Sequence, residues 1–262
     1  ALISPTDPIA VLGILKETSA PKSLETTIAG ESLFNDGVGV VVFTVILSLA
    51  TGSAHSHINV SEIFLLFIEE ALGGIVYGLV LGYIFYRLLK SIDNYAVEIL
   101  LTLSLVMGGY SLAYFLHVSG PLAMVVAGLF IGNHGKVFAM SEVTHKQLFS
   151  FWGLIDEFLN AVLFVLIGIQ ILVISFSLNY LFIGIIIIPI ILCIRFIGVV
   201  IPIIIMRERA NLVKGASKAM TWCGLRGGIS IALALSIPDV PEKPLILAVT
   251  YIVVAFSILV QG

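Results

Sequence analysis

The chain consists mainly of long apolar runs separated by short polar stretches. These runs cover about residues 1–16, 24–50, 62–86, 95–116, 119–133, 151–175, 179–206, 216–237 and 244–261. The longer ones can cross a bilayer at the helical rise of about 1.5 Å per residue. Because they lack the strict alternation of a membrane β-barrel, the pattern predicts an all-α polytopic membrane protein.

Charged residues are scarce, and most of the basic ones lie between the runs. The chain is 59% hydrophobic and only 11% charged, with a mean hydropathy of +1.14. Ten of the 13 Lys and Arg residues lie in or beside the connections 17–23, 87–94, 134–150 and 207–215. Such an excess predicts that these connections are cytoplasmic. Residues 134–150 are predicted to form an amphipathic connector on that surface.

Polar residues also stand in the middle of the second run. Asp36 lies near its midpoint, where a carboxylate requires a cavity, an ion or a partner to compensate its charge. On a helix, Ser32 and Asp36 share one face, and Glu31 and Asn35 share the neighbouring face. Hard oxygen ligands of this kind suit an alkali cation. The pattern predicts a cation site at Asp36 that can also take up a proton.

Two runs are interrupted, one toward each end of the chain. Prolines break the first run around Thr6 and Asp7, and glycines break the eighth around Arg226. Paired interruptions are typical of inverted-repeat transporters, whose half-helices meet near the membrane midplane. Asp7 could be an ion ligand, joined by Thr6 if it lies opposite Asp36, or a helix cap. Arg226 could neutralise helix ends at the break or pair with a carboxylate.

Further charged positions fall inside the runs. Arg195 lies near the middle of its run and needs a partner there, for which Glu31 is the natural candidate. Asp156 and Glu157 stand near the start of the sixth run. They could cap the first turn of that helix, or they could form a cytoplasmic funnel that attracts cations.

Four motifs, in chain order, resemble the NhaP/NHE-type sodium/proton antiporters, the electroneutral branch of the monovalent cation:proton antiporter superfamily. They are Thr6-Asp7-Pro8, Gly30-Glu31-Ser32-Leu33-Phe34-Asn35-Asp36, Phe151-Trp152 with Asn160 and Phe164-Val165-Leu166-Ile167-Gly168, and Gly224-Leu225-Arg226-Gly227-Gly228. The resemblance implies an inverted-repeat fold of about thirteen helices, with discontinuous helices that cross. About nine of these would be present, so the chain is expected to be a fragment that lacks the N-terminal helices.

The resemblance also implies a homodimer in which each protomer has a core (transport) domain and a dimerisation domain. On this basis residues 1–50 are expected to belong to the core. Residues 51–133 and 151–262 would supply further helices of both domains, joined by the connector at 134–150. The exchange is implied to be electroneutral, with one sodium or lithium ion moved for one proton.

Particular residues gain expected roles from the same resemblance. Asp36 becomes the main carboxylate for the cation and the proton, supported by Asn35. Glu31 and Arg195 become a structural ion pair. The expected sodium ligands are Asp36, Asp7, Ser32 and Thr6.

Other functions remain as alternatives. Potassium–proton exchange on the same fold stays open, because these ligand types do not separate the two cations. A non-transporting membrane subunit would leave Asp36 without a purpose. An intramembrane aspartyl protease is disfavoured, because its Tyr-Asp and Gly-x-Gly-Asp motifs are missing.

We therefore expect a transporter rather than an enzyme, in a bacterial or archaeal cell membrane, with no cofactor and no nucleic-acid partner. Its expected role is pH and sodium homeostasis.

Overall fold

The computed structural model describes most of the chain, in six stretches. These are residues 1–7, 21–51, 60–135, 140–171, 177–205 and 216–261. The second half of the first predicted run lies outside them. The connection at 207–215, which is predicted to be cytoplasmic, also falls outside the described residues, as do parts of those at 17–23 and 134–150.

Within these stretches every regular element is a helix, which confirms the all-α prediction. The α-helices are α1 (Lys22–Ala50), α2 (Val60–Lys90), α3 (Tyr95–Phe115), α4 (Gly120–Phe130), α5 (Glu142–Ile171), α6 (Leu178–Ile205), α7 (Ala216–Trp222), α8 (Gly228–Ser236) and α9 (Lys243–Phe256). Short π-helical turns extend two of them, Ile131–Gly135 after α4 and Ser257–Gln261 after α9.

Among the described residues, six helical segments are long and apolar enough to cross a membrane. They are Lys22–Ala50, Phe64–Lys90, Tyr95–Phe115, Glu142–Ile171, Leu178–Ile205 and Lys243–Gln261. Their outward faces are strongly apolar. In α6, for example, Ile185, Ile194 and Ile204 are 62%, 64% and 65% exposed. Such surfaces suit lipid rather than water, and the chain is a multi-pass membrane protein.

The start of α5 differs from the sequence prediction. The helix begins at Glu142, so the second part of the predicted connector at 134–150 is continuous with the following span. A serine cap explains this start, because the Ser141 hydroxyl accepts the backbone N–H of Thr144 at 3.3 Å. Asp156 and Glu157 consequently lie in the middle of α5. The interpretation of this pair as first-turn caps is wrong.

The chain divides into two compact units. Unit 1 comprises Ala1–Gly39 and Phe164–Gly262, and unit 2 comprises Val40–Leu163. In unit 1, α9 packs against α6 and α8, and α6 packs against α7. In unit 2, α4 packs against α2 and α3. The proposed assignment of helices to a core and a dimerisation domain stays a prediction.

A stripe of glycines brings α2 and α4 into close contact in unit 2. Gly74, Gly78 and Gly82 recur every four residues along α2. A Cβ atom at Gly74 would lie 2.9 Å from the carbonyl oxygen of Ser119, and one at Gly78 would overlap the carbonyl oxygen of Ala123. Small residues thus let two helix backbones touch, as the four-residue spacing predicts.

Candidate cation site at the interrupted helices

The beginning of the chain meets α1 at Thr6 and Asp36, within unit 1. The backbone N–H of Thr6 donates to Asp36 Oδ1 at 3.0 Å. This N–H is available because residues 4–7 are not helical, so no helical carbonyl competes for it. Thr6 is 2% exposed, and Asp36 is half-buried. The carboxylate therefore faces the non-helical residues 4–7, whose backbone supplies its hydrogen-bond donor.

Hydroxyl groups surround the same point. The Thr6 hydroxyl donates to the Ser32 hydroxyl at 3.1 Å, and the Asn35 amide donates to the Thr6 hydroxyl at 3.5 Å. Ser32 is 4% exposed and lies one helical turn before Asp36. The structure thus brings together four of the predicted site residues in one cluster of oxygen atoms.

Asp7 connects this cluster to the second interruption, between α7 and α8. Its backbone N–H donates to the carbonyl of Leu225 at 2.8 Å. A Cβ atom at Gly227 would lie only 2.7 Å from the Cβ atom of Asp7. Asp7 follows Thr6 in the chain, and the Thr6 N–H binds Asp36, so the two carboxylates belong to neighbouring parts of the site. The two interrupted regions therefore meet beside the two carboxylates.

Arg226 contacts backbone carbonyls rather than a carboxylate among the described hydrogen bonds of its side chain. Its Nη1 atom donates to the Ser4 carbonyl at 2.6 Å and to the Pro5 carbonyl at 3.3 Å. The residue is 8% exposed, so its positive charge is buried where the non-helical segment leaves carbonyls unpaired. These contacts agree with the interpretation that Arg226 neutralises backbone groups at the break. Its role stays a prediction.

Arg195 and Glu31 form an ion pair next to the cluster. The pair joins α6 to α1, and its side chains are 11% and 26% exposed. Arg195 Nη2 also donates to the Met220 carbonyl at 3.0 Å, which ties α6 to α7. Because Glu31 already neutralises Arg195, this arginine does not need Asp36 as a counter-ion. The role of Asp36 as the residue that binds the cation and the proton stays a prediction.

Other singled-out residues lie elsewhere. Asp156 and Glu157 belong to unit 2, and their side chains are exposed. Their role as a funnel stays a prediction. In the described part of the chain, no group of three His, Cys, Asp or Glu side chains could hold a metal ion. The hydroxyl, amide and carboxylate cluster of unit 1 is instead chemically suited to an alkali cation as cargo.

The sequence analysis missed two polar residues at the end of α9. The Ser257 hydroxyl accepts the backbone N–H of Arg226 at 2.8 Å and donates to Gln261 Oε1 at 2.8 Å. Their spacing could have indicated a shared role, because two polar residues four apart in the last apolar run lie on the same helix face. Their partner Arg226 is distant in sequence, so the pattern did not reveal what they contact.

Comparison with known proteins agrees with the motifs. Residues 1–262 match the family described as sodium/hydrogen exchanger, transmembrane. The chain is 52% identical to the Na+/H+ antiporter NhaP of Pseudomonas aeruginosa, over the whole chain and 62% of that protein. It is 36% identical to the Na+/H+ antiporter NhaH of Halobacillus dabanensis, over the whole chain and 64% of that protein. Sodium/hydrogen exchanger 8 of Arabidopsis thaliana is 33% identical over 90% of the chain and 32% of its own length.

The chain thus spans less than two thirds of the length of the two bacterial relatives. The family match, by contrast, covers the chain from its first residue to its last. It also includes both interrupted regions and the helix that carries Asp36. This chain belongs to the sodium/hydrogen exchanger family.

Proposed function

We propose that the full-length protein is a secondary transporter that exchanges Na+ or Li+ for H+ across the membrane. The observation that carries this proposal is the hydrogen bond between the Thr6 N–H and Asp36 Oδ1, at 3.0 Å. It puts a carboxylate of a membrane-crossing helix against a non-helical segment that offers further oxygen ligands. Relatives named as Na+/H+ antiporters support sodium as the cation.

The oxygen atoms around Asp36 suit a small alkali cation. Ser32 and Thr6 supply hydroxyl groups 3.1 Å apart, and Asp7 supplies a second carboxylate in the neighbouring part of the site. Asn35 donates to Thr6 and so orients that hydroxyl. In the proposal, Na+ replaces the hydrogen bonds within this cluster with direct contacts to Asp36, Asp7, Ser32 and Thr6.

Competition at Asp36 couples the two ions. A bound cation favours the ionised carboxylate, and a bound proton removes the negative charge that holds the cation. In the proposal Asp36 alone takes up the proton and Asp7 stays ionised, so one proton leaves for each cation bound and the exchange is one-for-one and electroneutral. Asn35 is consistent with this stoichiometry, because an amide cannot carry a second proton. Glu31 is also consistent, because it is already paired with Arg195.

The interrupted helices provide the means of alternating access. Irregular backbone inside a membrane is tolerated where it is buried in protein or lines a cavity. Here the segment around Thr6 is held by Arg226 through two carbonyls rather than by a continuous helix. A small displacement of this segment changes which oxygen atoms face Asp36. The site can then open to one side of the membrane at a time.

Reconstitution of the full-length protein in liposomes tests the proposal. An internal pH dye reports proton movement after addition of Na+, Li+ or K+, with the membrane potential free or clamped. Asp36→Asn is compared with Asp239→Asn, whose side chain is 99% exposed and pairs only with Lys243 among the described ion pairs. We expect Na+ to drive proton flux in the wild type and in Asp239→Asn, whether or not the potential is clamped. We expect none in Asp36→Asn.

Other results would redirect the assignment. Flux driven by K+ but not by Na+ would indicate a potassium–proton antiporter on the same fold. Flux that survives in Asp36→Asn would contradict the site, and a wild type that responds to no cation would indicate a non-transporting subunit.

The homodimer is also part of the proposal. It predicts a purified full-length protein with twice the monomer mass by light scattering.

A further inference from the structure

The π-helical turn Ser257–Gln261 contacts both ends of the break between α7 and α8. The Ser257 hydroxyl accepts the backbone N–H of Arg226 at 2.8 Å and donates to Gln261 Oε1 at 2.8 Å. The Gln261 amide donates to the carbonyl of Trp222, the last residue of α7, at 3.4 Å. We call these two side chains, Ser257 and Gln261, the brace.

The brace meets a need created by the break. Where α7 ends at Trp222 and α8 begins at Gly228, backbone groups lose their helical partners. Inside a membrane, each such group costs free energy unless the protein itself supplies a partner. Ser257 is 1% exposed, so neither water nor lipid satisfies the groups beside it. The brace supplies one partner at each side of the break.

A continuous path of contacts leads from the brace to the candidate cation site. The Ser257 hydroxyl holds the backbone of Arg226, whose guanidinium holds the Ser4 and Pro5 carbonyls. The next residue, Thr6, donates its N–H to Asp36. The hydrogen bonds of this path are 3.3 Å or shorter, and covalent bonds within Arg226 and between Pro5 and Thr6 join them. The path connects the brace with Asp36 without a direct contact between the two.

We infer that Ser257 and Gln261 are positioning residues that set the affinity of the cation site through Arg226. This inference rests on the proposed function, because it concerns the same carboxylate. A π-turn is also a common feature of functional sites in helices, which agrees with its position at the break. Gln261 acts on Arg226 through Ser257, and it acts on the other side of the break directly through the Trp222 carbonyl.

The main test substitution is Ser257→Ala, assayed in the full-length protein in liposomes. It leaves the Arg226 N–H buried without its partner, so the segment that carries Thr6 is held less firmly. We expect the half-saturating Na+ concentration to rise about three- to tenfold, with a maximal rate within about twofold of wild type. Ser257→Thr keeps the hydroxyl and is expected to restore the wild-type value.

Gln261→Leu tests the other end of the brace. It keeps the side-chain size and removes both hydrogen bonds, and we expect a change in the same direction as Ser257→Ala. Both single substitutions remove the bond between Ser257 and Gln261, but only Gln261→Leu also frees the Trp222 carbonyl. The double substitution is therefore expected to raise the half-saturating Na+ concentration at least as far as Ser257→Ala alone, and by less than the product of the two single effects. Thr250→Val is the matched control. Thr250 lies on the same helix and is 1% exposed, and its hydroxyl donates within that helix to the Ile246 carbonyl at 2.7 Å.

Cys223 provides a second readout that does not depend on transport. It is a free thiol in the break itself, between α7 and α8. In a full-length background with every other cysteine replaced by serine, N-ethylmaleimide labelling reports how readily the break opens. We expect Ser257→Ala and Gln261→Leu to label about threefold faster than wild type, and Thr250→Val to label at the wild-type rate.

The two readouts separate the possible failures. Unchanged Na+ affinity in both brace variants would overturn the inference, as would a lower maximal rate at unchanged affinity, which indicates a structural role alone. Unchanged Cys223 labelling would overturn it as well. If the wild type shows no cation-driven flux, the proposed function fails. In that case, faster Cys223 labelling in the brace variants would still show that Ser257 and Gln261 stabilise the break between α7 and α8. Labelling at the wild-type rate would reject this structural role as well.

Discussion

The two units of the molecule join their helices by different means. In unit 1, buried polar groups connect segments that are far apart in sequence, as in the contacts of Arg226 with Ser4 and of Thr6 with Asp36. In the described part of unit 2, backbones touch directly where glycines such as Gly78 leave room. There, side-chain hydrogen bonds between helices are few, such as that from Trp152 Nε1 to the Thr102 hydroxyl at 3.0 Å.

The difference follows from what each unit must contain. A cation site inside a membrane needs carboxylates, and their charges require buried partners, so unit 1 carries Arg195 and Arg226 as well. Unit 2 also buries a carboxyl group, that of Glu98, but its described helices α2 and α4 are joined by close packing at glycines. Substitutions in unit 1 should therefore change cation affinity or leave a charge unpaired. Substitutions in unit 2 should change stability and leave the affinity as it is.

The largest effect is expected from removing one partner of the ion pair in unit 1. Arg195→Leu leaves Glu31 without its counter-ion and the Met220 carbonyl without its donor. Breaking a buried pair in this way costs about 3 to 5 kcal/mol. The thermal unfolding temperature of the purified full-length protein should fall markedly. The double variant Glu31→Leu/Arg195→Leu should recover part of the loss, and a double variant as unstable as the single one would contradict this account.

A second prediction concerns the glycine stripe of unit 2. Gly78→Ala puts a methyl group against the Ala123 carbonyl, and this crowding should cost about 1 to 3 kcal/mol of stability. The unfolding temperature should drop, and the half-saturating Na+ concentration should not change. Gly108→Ala is the matched control, because nothing lies within 4 Å of its added Cβ atom. A shift in Na+ affinity with Gly78→Ala would break the proposed contrast between the units.

The same type of substitution should act differently in unit 1. Gly227→Ala places a methyl group 2.7 Å from the Cβ atom of Asp7, which forces that carboxylate to move. We expect the half-saturating Na+ concentration to rise about tenfold, which corresponds to about 1.4 kcal/mol. Gly198→Ala has nothing within 4 Å of its Cβ atom and should bind Na+ as wild type does. Equal affinities in the two variants would argue against Asp7 as a ligand.

The smallest predicted effect is on a single hydrogen bond of unit 2. Trp152→Phe removes the donor to the Thr102 hydroxyl and should cost about 0.5 to 1.5 kcal/mol of stability. The unfolding temperature should fall slightly, and the rate of cation–proton exchange in liposomes should stay at the wild-type level. Tyr114→Phe is the control in the same unit, because the Tyr114 side chain is 81% exposed. The contrast between the units would weaken if Trp152→Phe altered Na+ dependence.

Much of the fold could be predicted from local sequence. The apolar runs predicted helices and spans, because a membrane leaves the backbone few other ways to pair its polar groups. The sequence predicted too late a start for α5. Ser141, which caps this helix, lies within a polar stretch that is equally typical of a connector between helices. The interruption around Arg226 was predicted, since glycines and an arginine inside an apolar run rarely belong to an uninterrupted helix.

Local sequence was enough to predict that Asp36 lies at membrane depth and that Arg195 needs a counter-charge, because both predictions follow from the cost of an isolated charge in lipid. Which groups meet those demands depends on the folded arrangement of the helices. Arg226 binds the carbonyl of Ser4, a residue 222 positions away, and no local periodicity encodes a contact over that separation. The hold of Ser257 on the break has the same origin. Such contacts exist because folded helices bring their polar groups together, and the alternative partners are absent from the surrounding lipid.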